Sequence, residues 1–551
     1  MSEIVIDAFD VLNHELPNGE VYVKGTTEYE AAISIGNLLY RMITPQAVVL
    51  VKSIEEVQTT IRFAEKYNWH LTIKNGAHSY AAYCLNQGGV VIDMSALRKV
   101  TINLKRMTVT IQGGAIWKDV YAKLAERDPT KLVIGGQCPT VGVSGFTLGG
   151  GLSPFSRSYG LGVDSLLEMT LVTAKGELVT VKPNESDKHK EDLFWAVRGG
   201  GGGNFGATVK IVSKLHNLRD SKGAVVCGNL SWKISQKEKE EEFKKMMKMF
   251  NDKKWPDELS VDALWHADSG KGLLGDMTIL YNGAMKACLE VIEPFLKFSP
   301  DINLREMKWM DWVQQEMQGG FGITSKIYHH HISFIFGHGA IDTAFVDTVL
   351  RLLKAAQELL ANKTIFPVLA DDGCSKSSVH FLWDHIGGQT SAKRSDETAF
   401  FWREGEYVAN IKLSWSHPSQ SSHMIDFEQR CKSELAPFTL QHNAAYLNYI
   451  DDTQVKWQEA YYGDNYDRLT KIKKKWDPNN FWWFPQAIGE SGQDRNDKNE
   501  NDGAEPPKPG KIPKRWEEFS VKDPSVIDSA GDSIRGVLRA NLEARKKQWQ
   551  F

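Results

Sequence analysis

Between Ala47 and Val209, short apolar runs rich in β-branched residues alternate with amphipathic stretches and glycine clusters. The run AVVLVKS (47–53) reads as a strand, and IEEVQTTIRFAEKYN (54–68) repeats its apolar positions at helical spacing. LTIK (71–74), VVIDM (90–94), VTINL (100–104) and MTVTIQGG (107–114) read as further strands, followed by the helix-like IWKDVYAKLAER (116–127). LLEMTLVTAKGELVTV (166–181) predicts a hairpin turning at Lys175-Gly176.

Near residue 220 the pattern changes. Glycine thins out, and long charged helical stretches such as 234–252 and 342–362 alternate with aromatic-rich strands, among them IYHHHISFIFG (327–337) and YVANIKLSWS (407–416). The run AAYLNYIDD (444–452) reads as a return towards the first half, with a helix over Tyr466–Trp476 that stops at Asp477-Pro478. From there a polar, proline-bearing linker leads to Ile527, Ala530, Ile534, Val537, Leu538 and Leu542, which fall near one helical stripe. These shifts divide the chain into 1–220, 221–440, 441–488 and 489–551. The last piece ends in a helix expected to dock on its own protein or on a second copy.

Composition narrows the class. The 551 residues are 42% hydrophobic and 25% charged, with 66 basic against 69 acidic side chains and a net charge of -3. That balance leaves no electrostatic footprint for nucleic acid. No apolar run approaches the length of a membrane span, so stable membrane insertion is not expected. The N-terminus lacks a basic start followed by an apolar run, and the six cysteines form no C-x-x-C pair, so an intracellular, cytoplasmic location is expected.

The glycine clusters supply candidate chemistry. They are Lys74-Asn75-Gly76-Ala77-His78-Ser79, then Gly135-Gly136-Gln137-Cys138-Pro139, then 142–151 (GVSGFTLGGG), and finally 198–206 (RGGGGGNFG). None has the spacing of a Rossmann fingerprint. Bare N–H groups in tight turns nonetheless make a cradle for a pyrophosphate.

Taken in order, these clusters and the motifs PQAVVLVKSIEEVQTTIRFA, VVIDMSAL, YGLGVDSLLEMTLVTAKGE, DLFWAVRGGGGGNFG, YLNYIDD, YYGDNYDRL and WDPNNFWWFPQAI resemble the berberine-bridge-enzyme-like flavoproteins of the vanillyl-alcohol-oxidase type. The resemblance runs from about Pro45 to Ile488. It implies an α+β chain: a PCMH-type FAD-binding domain, joined to an α+β substrate domain whose antiparallel sheet is covered by helices. It also implies FAD held by two covalent bonds, from His78 to the flavin 8α-methyl and from Cys138 to flavin C6.

By the same resemblance the cofactor is lined by Lys74, Asn75, Gly76, Ala77, Ser79, Gly135, Gly136, Gln137, Pro139, Val141, Gly142, Gly145, Phe146, Gly149, Gly150, Tyr159, Gly160, Gly203, Asn204, Phe205 and Gly206. Ala77 stands where a second glycine is commoner, which reads as a minor change. Phe146 stands where many relatives have a histidine, and Val141 matches a gate position whose valine goes with oxidases.

Tyr446 and Tyr449 are the candidate bases. Strand alternation puts Val408, Asn410 and Lys412 on one face, from which Lys412 would tune the catalytic tyrosine. Alternation likewise puts His329 and His331 together; with no third ligand specified, no metal is expected.

The expected reaction is hydride transfer from a small-molecule substrate to flavin N5, with molecular oxygen as acceptor and hydrogen peroxide as product. The substrate expected is an alcohol or phenol, or a specialised metabolite that undergoes ring closure. A carbohydrate oxidase and a dehydrogenase with another acceptor are the alternatives.

Overall fold

A computed structural model describes residues 2–268, 272–318, 327–366 and 377–489. The expected linker and final helix, from residue 490 onward, lie outside them, as does Cys374.

Strand β1 (Glu20–Val23) lies antiparallel on β2 (Ala47–Leu50), which runs parallel to β4 (Val90–Asp93) and through it to β3 (Leu71–Lys74), giving the order β1-β2-β4-β3. The helix Ile54–Lys66 makes the crossover. Its start is fixed by a capping box, in which Ser53 Oγ accepts from Glu56 N and the Glu56 carboxylate accepts from Ser53 N. Its apolar stripe of Val57, Ile61 and Ala64 is buried in the core with Val49 and Ile92.

The chain continues through β5 (Val100–Asn103), β6 (Thr108–Gln112), β7 (Lys131–Leu132), β8 (Leu166–Val172), β9 (Leu178–Val181), β10 (Ala207–Lys214) and β11 (His216–Asn217). Five of these form an antiparallel sheet in the order β5-β6-β10-β8-β9, while β7 pairs with β11. The β8–β9 hairpin turns where the sequence indicates, with Gly176 at φ +68.

From Ala224 a third sheet begins. It contains β12 (Ala224–Lys233), β13 (Leu259–Asp268), β14 (Leu274–Tyr281), β15 (Asp301–Lys308), β16 (Tyr328–Gly337), β17 (Ser378–His385) and β18 (Gly405–Trp415), in the order β15-β12-β14-β13-β17-β18-β16, all antiparallel.

Alternation gives this sheet two unlike faces. Val379, Phe381 and Trp383 of β17 and Ala409, Ile411 and Leu413 of β18 share a core with Phe345, Val346, Val349 and Leu353 of the helix Thr343–Ala361. Trp265 and Trp383 meet there at 4.5 Å. The opposite face carries His380 and Asp384 on β17 and Asn410 and Lys412 on β18, and it is turned towards the first two sheets. The apolar face holds the sheet to its helices and leaves the polar face for other work.

The segment 441–489 ties the two halves together. Ile335 N donates to Ala444 O at 2.8 Å, and Tyr446 N to Ser333 Oγ at 3.0 Å, anchoring the segment on β16. Further on, Lys473 is buried and its ammonium donates to Asn204 O, Trp482 O and Asp477 Oδ2 at 2.5–2.7 Å. The glycine-rich loop 199–206 is therefore propped from beneath by the helix Tyr466–Trp476. Among the described residues no helix is long and apolar enough to cross a membrane.

Candidate active site

The loop after β3 turns back through Ala77, whose φ of +57 lies in the left-handed region. A glycine adopts that conformation freely, whereas an L side chain costs about 1–2 kcal/mol. Alanine at position 77 is thus more than a minor replacement: its methyl group carries backbone strain. Gly76 is needed for a different reason. A Cβ there would stand 2.5 Å from Gly142 N and 2.7 Å from Thr140 O, because the loop presses directly on 138–142.

That contact brings the two attachment candidates together. His78 Nε2 lies 2.9 Å from Thr140 Oγ1, and Cys138 Sγ lies 3.4 Å from the same oxygen. Burial draws the His78 pKa down to about 4, so its imidazole is neutral at physiological pH.

Around this point the backbone is open-handed. The N–H groups of Gly76, Ala77, His78 and Ser79 find no acceptor among the described residues, and the buried Asn75 Oδ1 finds no donor. Gly145 is exposed on the short helix Val143–Leu148, with nothing within 4 Å of its Cβ position, and Gly202 and Gly203 meet only distant neighbours. Unpaired donors in a turn and bare glycine surfaces suit a flat, pyrophosphate-bearing cofactor, so these residues fit FAD. Gly135 and Gly136 are packed against Trp117, and the Tyr121 hydroxyl donates to Gly136 O at 2.6 Å. Phe146 packs edge-on against Trp117 at 4.9 Å and offers no polar donor.

Several residues expected at the cofactor are occupied elsewhere. The Lys74 ammonium is paired at 2.7 Å with buried Asp93. Tyr159 donates to Asn217 O at 2.6 Å and accepts from Asn282, which draws its side chain towards β11, and Gly160 closes a turn beside Asp164. Asn204 bonds within its own loop and to Ile488 N, Phe205 is buried in the core, and Gly206 is pressed on Val172 O. Val141 O accepts from Trp117 N, Pro139 O from Lys118 N, and Gly142 caps the short helix, which fixes the second loop without using its side chains.

The catalytic candidates separate clearly. Tyr446 is buried, and its oxygen accepts from Gly151 N, Leu152 N and Asn448 Nδ2 at 3.0–3.2 Å. Gly149 and Gly150 permit this approach, since a Cβ on either would strike Asn448 or Phe400. Tyr446 is thus held against the glycine run.

Tyr449 instead donates to Asp384 Oδ2 at 2.7 Å. Burial raises the Asp384 pKa to about 7, against the lowering influence of the Tyr449 bond. Burial and the neighbouring carboxylate together raise that of Tyr449. Tyr80, two residues after His78, completes the cluster, 5.8 Å from Tyr449 and stacked at 3.6 Å on His331.

Lys412 does not tune either tyrosine. It stands in the open cleft near Cys138, His329 and His331, and it is Asp384 that acts on Tyr449. Asn410 Oδ1 accepts from His331 Nδ1 at 3.0 Å, while its buried Nδ2 has no partner among the described residues. His329 and His331 share a face, as alternation requires, with a 2.9 Å contact between their rings. His330 points the other way, where Glu428 and Asp452 take both of its nitrogens at 2.7 and 2.8 Å. His330, Asp451 and Asp452 lie close enough to hold a metal ion, but with both nitrogens engaged by carboxylates the cluster is an ion-pair network.

Comparison with known proteins agrees with this geometry. A family model described as "FAD binding domain" matches residues 45–182, and one described as "Berberine and berberine like" matches 445–489. The uncharacterized FAD-linked oxidoreductase YvdP of Bacillus subtilis is 28% identical over 85% of this chain and 98% of its own length. Reticuline oxidase of Eschscholzia californica is 27% identical over 83% and 86%. The solved structure of Physcomitrella patens BBE-like 1 has the same fold, with a TM-score of 0.74 at 24% identity over 87% of this chain and 98% of that one. A cofactor cradle built from the first matched segment and tyrosines supplied by the second lead to one conclusion: the chain is a FAD-linked oxidoreductase similar to the berberine-bridge-enzyme-like proteins.

Proposed function

We propose that the protein is an oxidase carrying FAD bonded to both His78 and Cys138, which oxidises a hydroxyl-bearing small molecule with oxygen as acceptor and hydrogen peroxide as product. The observation that supports this most directly is the convergence of the His78 imidazole and the Cys138 thiol on the Thr140 hydroxyl. Bound FAD supplies a two-electron acceptor, which no side chain of the chain can provide.

The protein's own contribution is proton handling. A phenol with a raised pKa is a poor base when it acts alone. Tyr449 escapes that limit because its proton already points at Asp384. The substrate hydroxyl proton passes to the Tyr449 oxygen as the Tyr449 proton passes to the Asp384 carboxylate. Tyr449 ends neutral and Asp384 ends protonated. A carboxyl poised at about 7 is matched to this task at neutral pH. No tyrosinate is required at rest.

A neutral His78 keeps the lone pair that bond formation to the flavin methyl carbon needs. Val141, between the attachment loop and the short helix, favours oxygen as acceptor by its small size. The Eschscholzia californica relative, named for oxidase activity on reticuline, points the same way.

The test is to reduce the flavin anaerobically and admit air. Return of the oxidised spectrum with one peroxide per flavin is expected. Persistent bleaching in air would reject the oxidase in favour of a dehydrogenase.

A further inference from the structure

The polar face of the third sheet carries a feature that proton transfer does not use. His331 of β16 stands opposite Lys412 of β18, Lys412 opposite His380 of β17, and His380 opposite His266 of β13. These strands are consecutive neighbours in the sheet. With about 4.8 Å between strands, the four basic side chains form one row roughly 14 Å long. Alternation places the row on the face that bears Asn410 and Asp384. His329 extends it through its contact with His331, and Asp276 closes the far end, 3.1 Å from His266.

Burial lowers the pKa of His331, and that of His329 to about 3, so these imidazoles are neutral and Lys412 carries the positive charge at this end of the row. Among the described residues no carboxylate pairs with Lys412. Solvent reaches its side chain, yet the surrounding walls desolvate it enough to pull its pKa down, with Cys138 acting in the opposite direction. His331 is 4% exposed and His266 9%, so the row is built into the wall of the cleft and is not scattered over a free surface. The titratable groups that surround Lys412 are His329 and His331 on one side, His380 on the other, and Cys138 with Tyr80 from the loops above. Asp384 is remote: it faces Val408, four residues along β18, or about 13 Å of strand.

We propose that this row is an anion-binding subsite, and that the substrate carries a carboxylate or phosphate group that rests on the Lys412 ammonium beside His380. The second half rests on the oxidase reading, because it requires the reacting hydroxyl to lie at Tyr449. The spacing then describes an acidic substrate whose charged group is on the order of 10 Å from the oxidised carbon, held by the sheet while the C-terminal segment manages its proton.

Flavin-loaded protein should be titrated with sodium phosphate, with sodium malonate and with glycerol as an uncharged control, at constant ionic strength set with sodium chloride. Flavin absorbance and the thermal midpoint are the readouts. A saturable response to at least one anion, absent with glycerol, is expected. Phosphate alone would assign a phosphate-bearing substrate and malonate alone a carboxylate. K412M should weaken the response tenfold or more, H380Q less, and K412R should restore it. No saturable response in the unaltered protein, or equal responses in it and in K412M, would overturn the proposal. Because binding is read without turnover, a protein that binds anions but fails to reoxidise in air would reject the oxidase and leave the subsite standing.

Discussion

The hydroxyl of Tyr449 donates to Asp384 Oδ2 at 2.7 Å, joining a residue of the C-terminal segment to one 65 positions earlier on the polar face of β17. The bond gives a buried carboxylate its hydrogen-bond donor and gives a phenol somewhere to send its proton.

Removing either partner should therefore slow substrate oxidation. Y449F and D384N are each expected to lower the rate of flavin reduction by about 10²–10⁴-fold, measured by stopped-flow under anaerobic conditions. Ionised Asp384 is the accepting form. Its pKa is raised to about 7, so the unaltered rate should climb as pH rises through that value. D384N should lose this limb of the profile. A limb that survives in D384N would assign it to another group.

The two proposed attachment bonds predict a graded loss. C138A and H78A should each keep flavin in the acid-precipitated pellet through the remaining bond, and the double change should release it to the supernatant. Colour in the supernatant of the unaltered protein would disprove covalent attachment.

At Ala77 the backbone predicts an inverted substitution effect. Ala→Gly normally destabilises, through the greater freedom of the unfolded chain. With φ at +57 the relief of strain outweighs that loss, and A77G should gain about 0.5 kcal/mol and raise the thermal midpoint. A fall in the midpoint would show that the turn is not left-handed there.

His330 predicts an alkaline limit to stability. Burial opposes its charge, but Glu428 and Asp452 on either side hold its pKa well above the ordinary value. Its contribution is complete below the unfolded pKa of about 6.5 and is lost as pH rises through the folded value. H330Q should cost about 3–5 kcal/mol near neutrality, because it leaves buried carboxylates uncompensated. Urea midpoints for the two proteins should converge at high pH, and curves that stay parallel would contradict the charged assignment.

How far the sequence discloses this site depends on distance along the chain. His78 and Cys138 are singled out by the resemblance because each sits in a short contiguous motif, whereas the glycines around them indicate only close backbone contact. The helices at 54–66 and 343–361 and the β8–β9 hairpin follow from periodicity and turn residues. Asp384 is not legible in this way. Its role appears only when Tyr449 folds back onto β17, although its position two and four residues from Leu382 and His380, opposite the run of Val379, Phe381 and Trp383, marks the polar face. Lys412 shows the converse failure. Alternation correctly gives its face, but a face says nothing about position along the strand, and Lys412 lies four residues beyond the level of Asp384. Tyr446 and Tyr449 share a motif yet diverge because a single 3₁₀ turn, Leu447–Tyr449, separates them and sends one to the glycine run and the other to the carboxylate.

Lys473 has a consequence for timing during synthesis. It supports the Asn204 carbonyl from a helix that follows Tyr449, so both the prop of the cofactor cradle and the Tyr449 phenol emerge from the ribosome after all of the sheets among the described residues. A nascent chain that has exposed His78 and Cys138 still lacks the pieces that would make a captured flavin reactive. Completion of the site is thereby deferred until translation has passed the helix Tyr466–Trp476.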